Sequence, residues 1–403
     1  MTSRPLSLLI VSALLGLCLP GPSRSVAAPP PLETAPPHEV GMDAVRLSFV
    51  DPIVEEGLRE GQMAGCVVLV GRKGKIVYQQ AFGERQSDPE SVAMTEETVF
   101  DLASLTKPVA TATSVMHLVE QGLVNLDEPV ATYVPEFAAN GKEEITIVDL
   151  LTHQGGLIPD NSIRDYEDDP VTAMEKTLAT KPIASRGERF IYSDVGFIVL
   201  GEMVKRLSDK SVHEYSQEHI FGPLGMTETG YLPREDLRQR AAVTEKRDGE
   251  WMQGEVHDPR AYRLGGVAGH AGLFSTAQDL AVYATMMING GEYGGVRVLE
   301  EETVERMTRP TKVPRGLRAL GWDVNSPYSS NRGDLMSDRA FGHGGFTGTT
   351  MWIDPTQELF VIFLSNRLHP DGKGSVNSLA GRIGTVAAAA IVEPSGLTAP
   401  EAP

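Results

Sequence analysis

Apolar positions along this chain of 403 residues follow two rhythms, and the switch between them outlines a fold. Over 43–60, Val45, Leu47, Val50, Ile53, Val54 and Leu58 recur at helical spacing, which predicts an amphipathic helix. Residues 66–83 (CVVLVGRKGKIVYQQAFG) turn β-rich on both sides of Lys73-Gly74, which predicts a hairpin. Residues 349–366 (TTMWIDPTQELFVIFLSN) repeat that pattern around Asp354-Pro355, and a helix of small residues is predicted over 375–392. A helix and hairpin in front, with a hairpin and helix behind, predict one sheet assembled from both ends of the chain. The middle is then an insertion.

That middle reads as helix-rich. Thr146 and Asp149 open a helix with a variant capping box, which ends near Gly155-Gly156. Ser211 with Glu214, and Ser275 with Gln278, are further capping boxes. The helix from Thr276 stops at Asn289-Gly290. A strand-like stretch over 189–191 leads into Tyr192-Ser193-Asp194 and a helix over 195–207. The expected class is α/β with a helical subdomain.

The ends read differently. Arg4, the apolar run over 6–19 (LSLLIVSALLGLCL) and Ser25-Val26-Ala27 before Ala28 have the order of an export signal. The run is short for a membrane span. Cys18 raises lipid attachment, which Leu17 before it disfavours. The expected organisation is a signal peptide over 1–27, a proline-rich linker over 28–42, one domain over 43–392 and a disordered tail over 393–403. The expected location is periplasmic or secreted. After cleavage Cys66 is the one cysteine left, so no internal disulfide can form, and its apolar surroundings make it a packing residue. The formal charge of −18 sets the surface against phosphate backbones, so nucleic acid is not an expected partner.

The candidate chemistry starts at Ser104-Leu105-Thr106-Lys107. Residues i and i+3 of a helix share a face, so hydroxyl and ammonium can meet. Pro108 is tolerated only near a helix start, which puts Ser104 at an N-terminus where developing negative charge is favoured. To serve as a base near neutrality, Lys107 must lose about 3 pH units from a pKa of about 10.4, about 4 kcal/mol of burial or neighbouring charge. Tyr192 could share its proton; Ser193 or Asp194 could equally be a plain N-cap beside a packing tyrosine. Residues 341–349 (FGHGGFTGT) lead into the late hairpin, and such a glycine-rich strand allows another backbone or a ligand to approach.

Taken in order, these three segments resemble the serine β-lactamase and penicillin-binding protein superfamily, most of all its class C-like branch of esterases and D-amino-acid peptidases. The resemblance covers nearly all of 43–392. It implies a β-lactamase/transpeptidase-like fold, with an antiparallel sheet flanked by helices around an inserted helical subdomain. It also implies that Ser104 is acylated, that Lys107 is its proton partner and that Tyr192 relays protons to the leaving group. Asp194 stands where many members carry asparagine. His343, Gly344 and Gly345 match the Lys-Thr-Gly strand motif, and the N–H of Phe346 joins that of Ser104 as an oxyanion hole. Histidine and glycine at 343 and 344 replace a lysine and a threonine that help hold a carboxylate, which argues against strong β-lactamase activity.

Residues 254–279 (GEVHDPRAYRLGGVAGHAGLFSTAQD) are similar to a branch associated with muropeptide turnover, including amidases. Here His257, Asp258 and His270 either line a cleft or hold the loop together. Their spacing is not that of a compact metal site, and no metal or organic cofactor is expected. His213-Glu214 lacks the second histidine of H-E-x-x-H, His153 reads as a cap at a helix end, and His117 as packed or exposed. There is no G-x-S-x-G or P-loop. The expected protein is an exported serine hydrolase acting on a small-molecule or muropeptide substrate. The alternatives are an esterase or D-amino-acid carboxypeptidase of the same fold, or a non-catalytic muropeptide-binding module.

Overall fold

The computed structural model describes residues 29–392. The signal-peptide expectation over 1–27 and the tail over 393–403 fall outside them, and the linker over 28–42 is described from residue 29 onward. The early hairpin is formed by β1 (Gly65–Arg72) and β2 (Lys75–Gln86), with Lys73 and Gly74 both at positive φ, as a tight right-twisting turn requires. β3 (Val92–Ala93) borders β2. The late strands are β4 (Thr311–Val313), β5 (Gly316–Arg318), β6 (Asp323–Asn325), β7 (Phe341–Gly344), β8 (Thr349–Asp354) and β9 (Leu359–Ser365). They join in the order β4-β5-β6-β7-β8-β9-β1-β2-β3, and each neighbouring pair is antiparallel. The two hairpins meet at β1–β9, where Val68 faces Phe363, so one sheet is indeed built from both ends of the chain.

β1 is buried from Gly65 to Gly71, and its period of two divides the core. Cys66, Val68 and Val70 pack against helix α1 (Val50–Arg59) and the late helix α5 (Asn377–Ala389). Val67 and Leu69 face the inserted helices: α2 (Thr113–Glu120), α3 (Asp194–Ser208) and α4 (Ala277–Ile288). Burial of the Cys66 thiol pushes its pKa up, so it is an inert packing group.

Four local expectations need correction. The helix over 43–60 is two helices, Ala44–Leu47 and α1. Pro52 has no N–H and its ring would meet the carbonyl four residues back, so a new helix must start just before it. Ser275 is not a cap: it ends a short strand, Leu273–Ser275, and Thr276 accepts from the N–H of Asp279 instead. The stretch 189–191 is extended but pairs with no strand. The proline-rich linker, where described, is no free tether. Thr34 bridges to Ile76, Pro30 accepts from the Tyr293 hydroxyl, and Val40 and Met42 are buried. Prolines hold such a chain extended at little entropic cost, and the two apolar side chains anchor it.

Candidate active site

The Ser104 turn is stitched to the sheet before the helix begins. Ala103 sits at φ +46°, a strained value for a residue with a Cβ. Asp101, buried, holds that turn: its Oδ1 accepts from Ala103 N–H at 2.8 Å and its Oδ2 from His257 N–H at 2.7 Å. Across the cleft edge, Thr347 Oγ1 donates to the Asp101 carbonyl and Thr349 Oγ1 to that of Leu102. The turn from β7 into β8 and the Ser104 turn are therefore locked together. A Cβ at Gly345 would lie 2.4 Å from the Leu102 carbonyl oxygen. Gly345→Ala is expected to destabilise the fold by about 1–3 kcal/mol, read by chemical denaturation, because the added methyl must push the two segments apart. A change below about 0.5 kcal/mol would contradict this tight contact.

After a 3₁₀ turn (Ala103–Leu105) the helix widens into a π-helical turn over Lys107–Ala112 before becoming α2. Such widened turns recur at functional sites. Lys107 is fully buried, with two hydrogen-bond acceptors and one carboxylate around its amine. Nζ lies 2.9 Å from Ser104 Oγ, 3.1 Å from the His270 carbonyl and 2.6 Å from Asp194 Oδ1. The expected i, i+3 meeting is thus present.

The electrostatics differ from expectation. Burial alone would lower the Lys107 pKa, but the Asp194 carboxylate and the Tyr192 phenol outweigh it and hold the amine well above its ordinary value. The neutral amine that the sequence reading required is disfavoured, because Asp194 stands where a neutral amide would leave the charge unopposed.

Tyr192 is half-buried, with its phenol oxygen enclosed and its ring centroid 4.9 Å from Lys107 Nζ. Burial raises its pKa; Lys107 pulls it back and Asp194 pushes it up again. Ser193 is the N-cap of α3, and Asp194 its first residue. His153 holds this turn in place. It is buried at φ +59°, its Nδ1 accepts from Ser193 N–H at 3.1 Å, and its ring lies 4.5 Å from that of Tyr192. The imidazole thus accepts an N–H rather than capping a carbonyl. Burial, with Arg318 and Lys107 nearby, keeps it neutral.

His343 lies on β7, buried, with Nδ1 2.7 Å from the Gly344 carbonyl; burial and the neighbouring cations keep it neutral too. Phe346 projects at the rim, 61% exposed, between the His257 ring and the Arg367 guanidinium. Among the described residues, the N–H groups of Ser104 and Phe346 have no acceptor.

Two cavities of about 330 Å³ open on either side of Ser104. One is lined by Asp160, Asp194, His257, Asp258 and His270, so the 254–279 loop does line the cleft. His270 Nε2 meets Asp258 Oδ1 at 2.9 Å, and His257 Nε2 meets Glu245 Oε2 at 2.5 Å. Burial would raise the Asp258 pKa, but His270 and backbone N–H groups more than reverse this. Ligand atoms of Asp194, Asp258 and His270 lie within 4.8 Å of one another, close enough to share a small cation. Lys107 and the histidine already engage the two carboxylates.

With this geometry in hand, relatives can be considered. The family model described as Beta-lactamase matches residues 50–383. The chain belongs to the Beta-lactamase family. Family members of known name bracket its chemistry. An Escherichia coli (strain K12) protein, provisionally named a D-alanyl-D-alanine carboxypeptidase, is 33% identical over 86% of this chain and 88% of its own. The N-acetylmuramyl-L-alanine amidase of Bacillus subtilis (strain 168) is 32% identical over 80% of this chain and 81% of its own. The fold is that of a penicillin-binding protein homolog from Caulobacter crescentus, with a TM-score of 0.69 at 22% identity over 87% of this chain and 99% of that one. As a Beta-lactamase family member this chain is a serine hydrolase.

Sequence reasoning missed Asp101, Arg318 and Asn331, and took His153 for a helix cap only. Asp101 is close to Ser104 in sequence; the other three come from remote segments, and no spacing rule points to them.

Proposed function

We propose that this family member is an exported serine hydrolase that cleaves a cell-wall muropeptide amide or ester through an acyl-enzyme on Ser104. The observation that carries it is the 2.9 Å contact between Ser104 Oγ and a buried Lys107, beside Tyr192 and two N–H groups without acceptors. Ser104 Oγ attacks the carbonyl carbon, and its proton passes to the Tyr192–Lys107 pair. The resulting oxyanion is held by the N–H groups of Ser104 and Phe346. The pair returns the proton to the departing nitrogen or oxygen, and water releases the acid by the same steps.

Because Asp194 keeps Lys107 charged, Tyr192 as phenolate is the base and Lys107 the cation that makes that phenolate accessible. The active pair has lost one proton, and both groups are raised above their ordinary values, so kcat/KM rises with pH into the alkaline range. Asp194 raises both pKa values, so Asp194→Asn must move that rise to lower pH, by at least about one unit. A pH–rate profile checks this; an unmoved or upward-shifted rise would refute the assignment.

Export is supported by the 6–19 run and by the cell-wall names of the two relatives. Incubation with purified muropeptides, read by mass, tests the substrate. Free peptide marks an amidase and lost terminal alanine a carboxypeptidase. Intact muropeptides, with no ester turnover, would leave a binding module.

A further inference from the structure

The 254–279 loop has a second side. Val256 lines a separate cavity of about 510 Å³, while the next two residues, His257 and Asp258, line the catalytic cleft. Leu232, Pro233, Arg238, Tyr262 and Phe274 complete its walls, and none of its lining residues is shared with the two cavities at Ser104. Leu232 stands at φ +51° and is 58% exposed. A residue with a Cβ is strained in that region, and an apolar side chain left in water offsets none of the strain. Its Cδ2 reaches over Gly266, where a Cβ would lie 2.4 Å from it. Tyr262, 44% exposed, lines the same space.

The cavity also holds a cation without a partner. Arg238 is on the helix Glu235–Arg240, and Gly254, at φ +63°, makes room for its stem: a Cβ there would lie 2.7 Å from Arg238 Cγ. The arginines flanking it are paired, Arg234 with Asp236 and Arg240 with Glu228. Glu255 is the carboxylate in the lining, and Arg247 already engages it while donating to the carbonyls of Val256 and His257. Among the described residues Arg238 has no ion pair and no side-chain hydrogen bond. An apolar wall thus stands beside an uncompensated positive charge, on a chain whose formal charge is −18. An apolar body carrying one carboxylate complements both.

We propose that this cavity is a binding site for an amphipathic carboxylate, an aliphatic chain ending in an acid, with Leu232, Val256 and Phe274 covering the chain and Arg238 pairing with the head. The site goes beyond the hydrolase reading above and does not depend on it.

Isothermal titration of the full chain with octanoate, octanol and octylammonium tests it, because the three share a chain and differ in head charge. The wild type is expected to bind octanoate at least about fivefold more tightly than octanol, and octylammonium least. Arg238 is exposed, so Arg238→Gln should keep the fold, and it should bring octanoate and octanol to within about twofold. Leu232→Gly relieves the positive φ and should melt no lower than the wild type, yet bind octanoate at least about threefold more weakly. The site is overturned if octanoate binds the wild type no better than octanol, or if the preference survives Arg238→Gln. It is overturned equally if Leu232→Gly melts lower or leaves binding unchanged. Self-association in sedimentation that Leu232→Asp abolishes would assign this face to a second copy of the chain and overturn the small-ligand site. None of these measurements uses turnover at Ser104, so failure here leaves the hydrolase reading standing.

Discussion

Ser104→Ala is expected to lower kcat/KM at least about 10⁴-fold on any ester or amide the wild type turns over. The same change should abolish the mass adduct formed with a fluorophosphonate. The reason is covalent: among the described residues, no other hydroxyl stands 2.9 Å from Lys107 Nζ beside two N–H groups without acceptors. The fold should survive, because removing one oxygen breaks a single side-chain contact while Lys107 keeps Asp194 and the His270 carbonyl. An adduct that persists on the alanine variant would place the nucleophile elsewhere. Turnover within about tenfold of wild type would show that Ser104 forms no acyl-enzyme.

Tyr192→Phe carries the next largest effect, a fall in kcat of about 10² to 10⁴. Lys107 cannot readily substitute, since Asp194 holds it as an ammonium. The variant should be at least as stable as the wild type. The phenol is buried, and its oxygen makes no hydrogen bond within the protein, so phenylalanine loses nothing there and avoids an unsatisfied polar group. A thermal melt and a progress curve on the same preparation separate the two effects. Activity within about threefold of wild type would transfer the base role to Lys107.

The two predictions differ in how far the sequence anticipates them. Ser104 and Lys107 are three residues apart, and helix geometry brings them together in any fold. Tyr192 lies at a turn whose placement depends on His153, a residue at positive φ with nothing in its local sequence to mark that role. Arg318 is further from reach. No local pattern marks it, and only the packing of β5, Phe190 and Tyr328 around the site buries it. The 254–279 loop falls between these cases. Its histidines and glycines suggested a cleft, yet the pairing of His270 with Asp258 and His257 with Glu245 depends on side chains meeting across the loop and the hairpin before it, Val243–Arg247 with Glu250–Gln253.

Periodicity alone determined the sheet's two hairpins, the inserted helices and the i, i+3 meeting of hydroxyl and amine, because these depend on short-range backbone geometry. Where Pro52 and Thr276 set their helix starts also follows from local rules, once each is weighed against its neighbours. Only the tertiary structure decided the charge on Lys107, the burial of Arg318 and the pairing of the cleft carboxylates with Lys107 and His270. Those depend on burial and on charges separated by tens to hundreds of residues. Coulombic and desolvation energies follow distance in space, which the order of residues along the chain does not record.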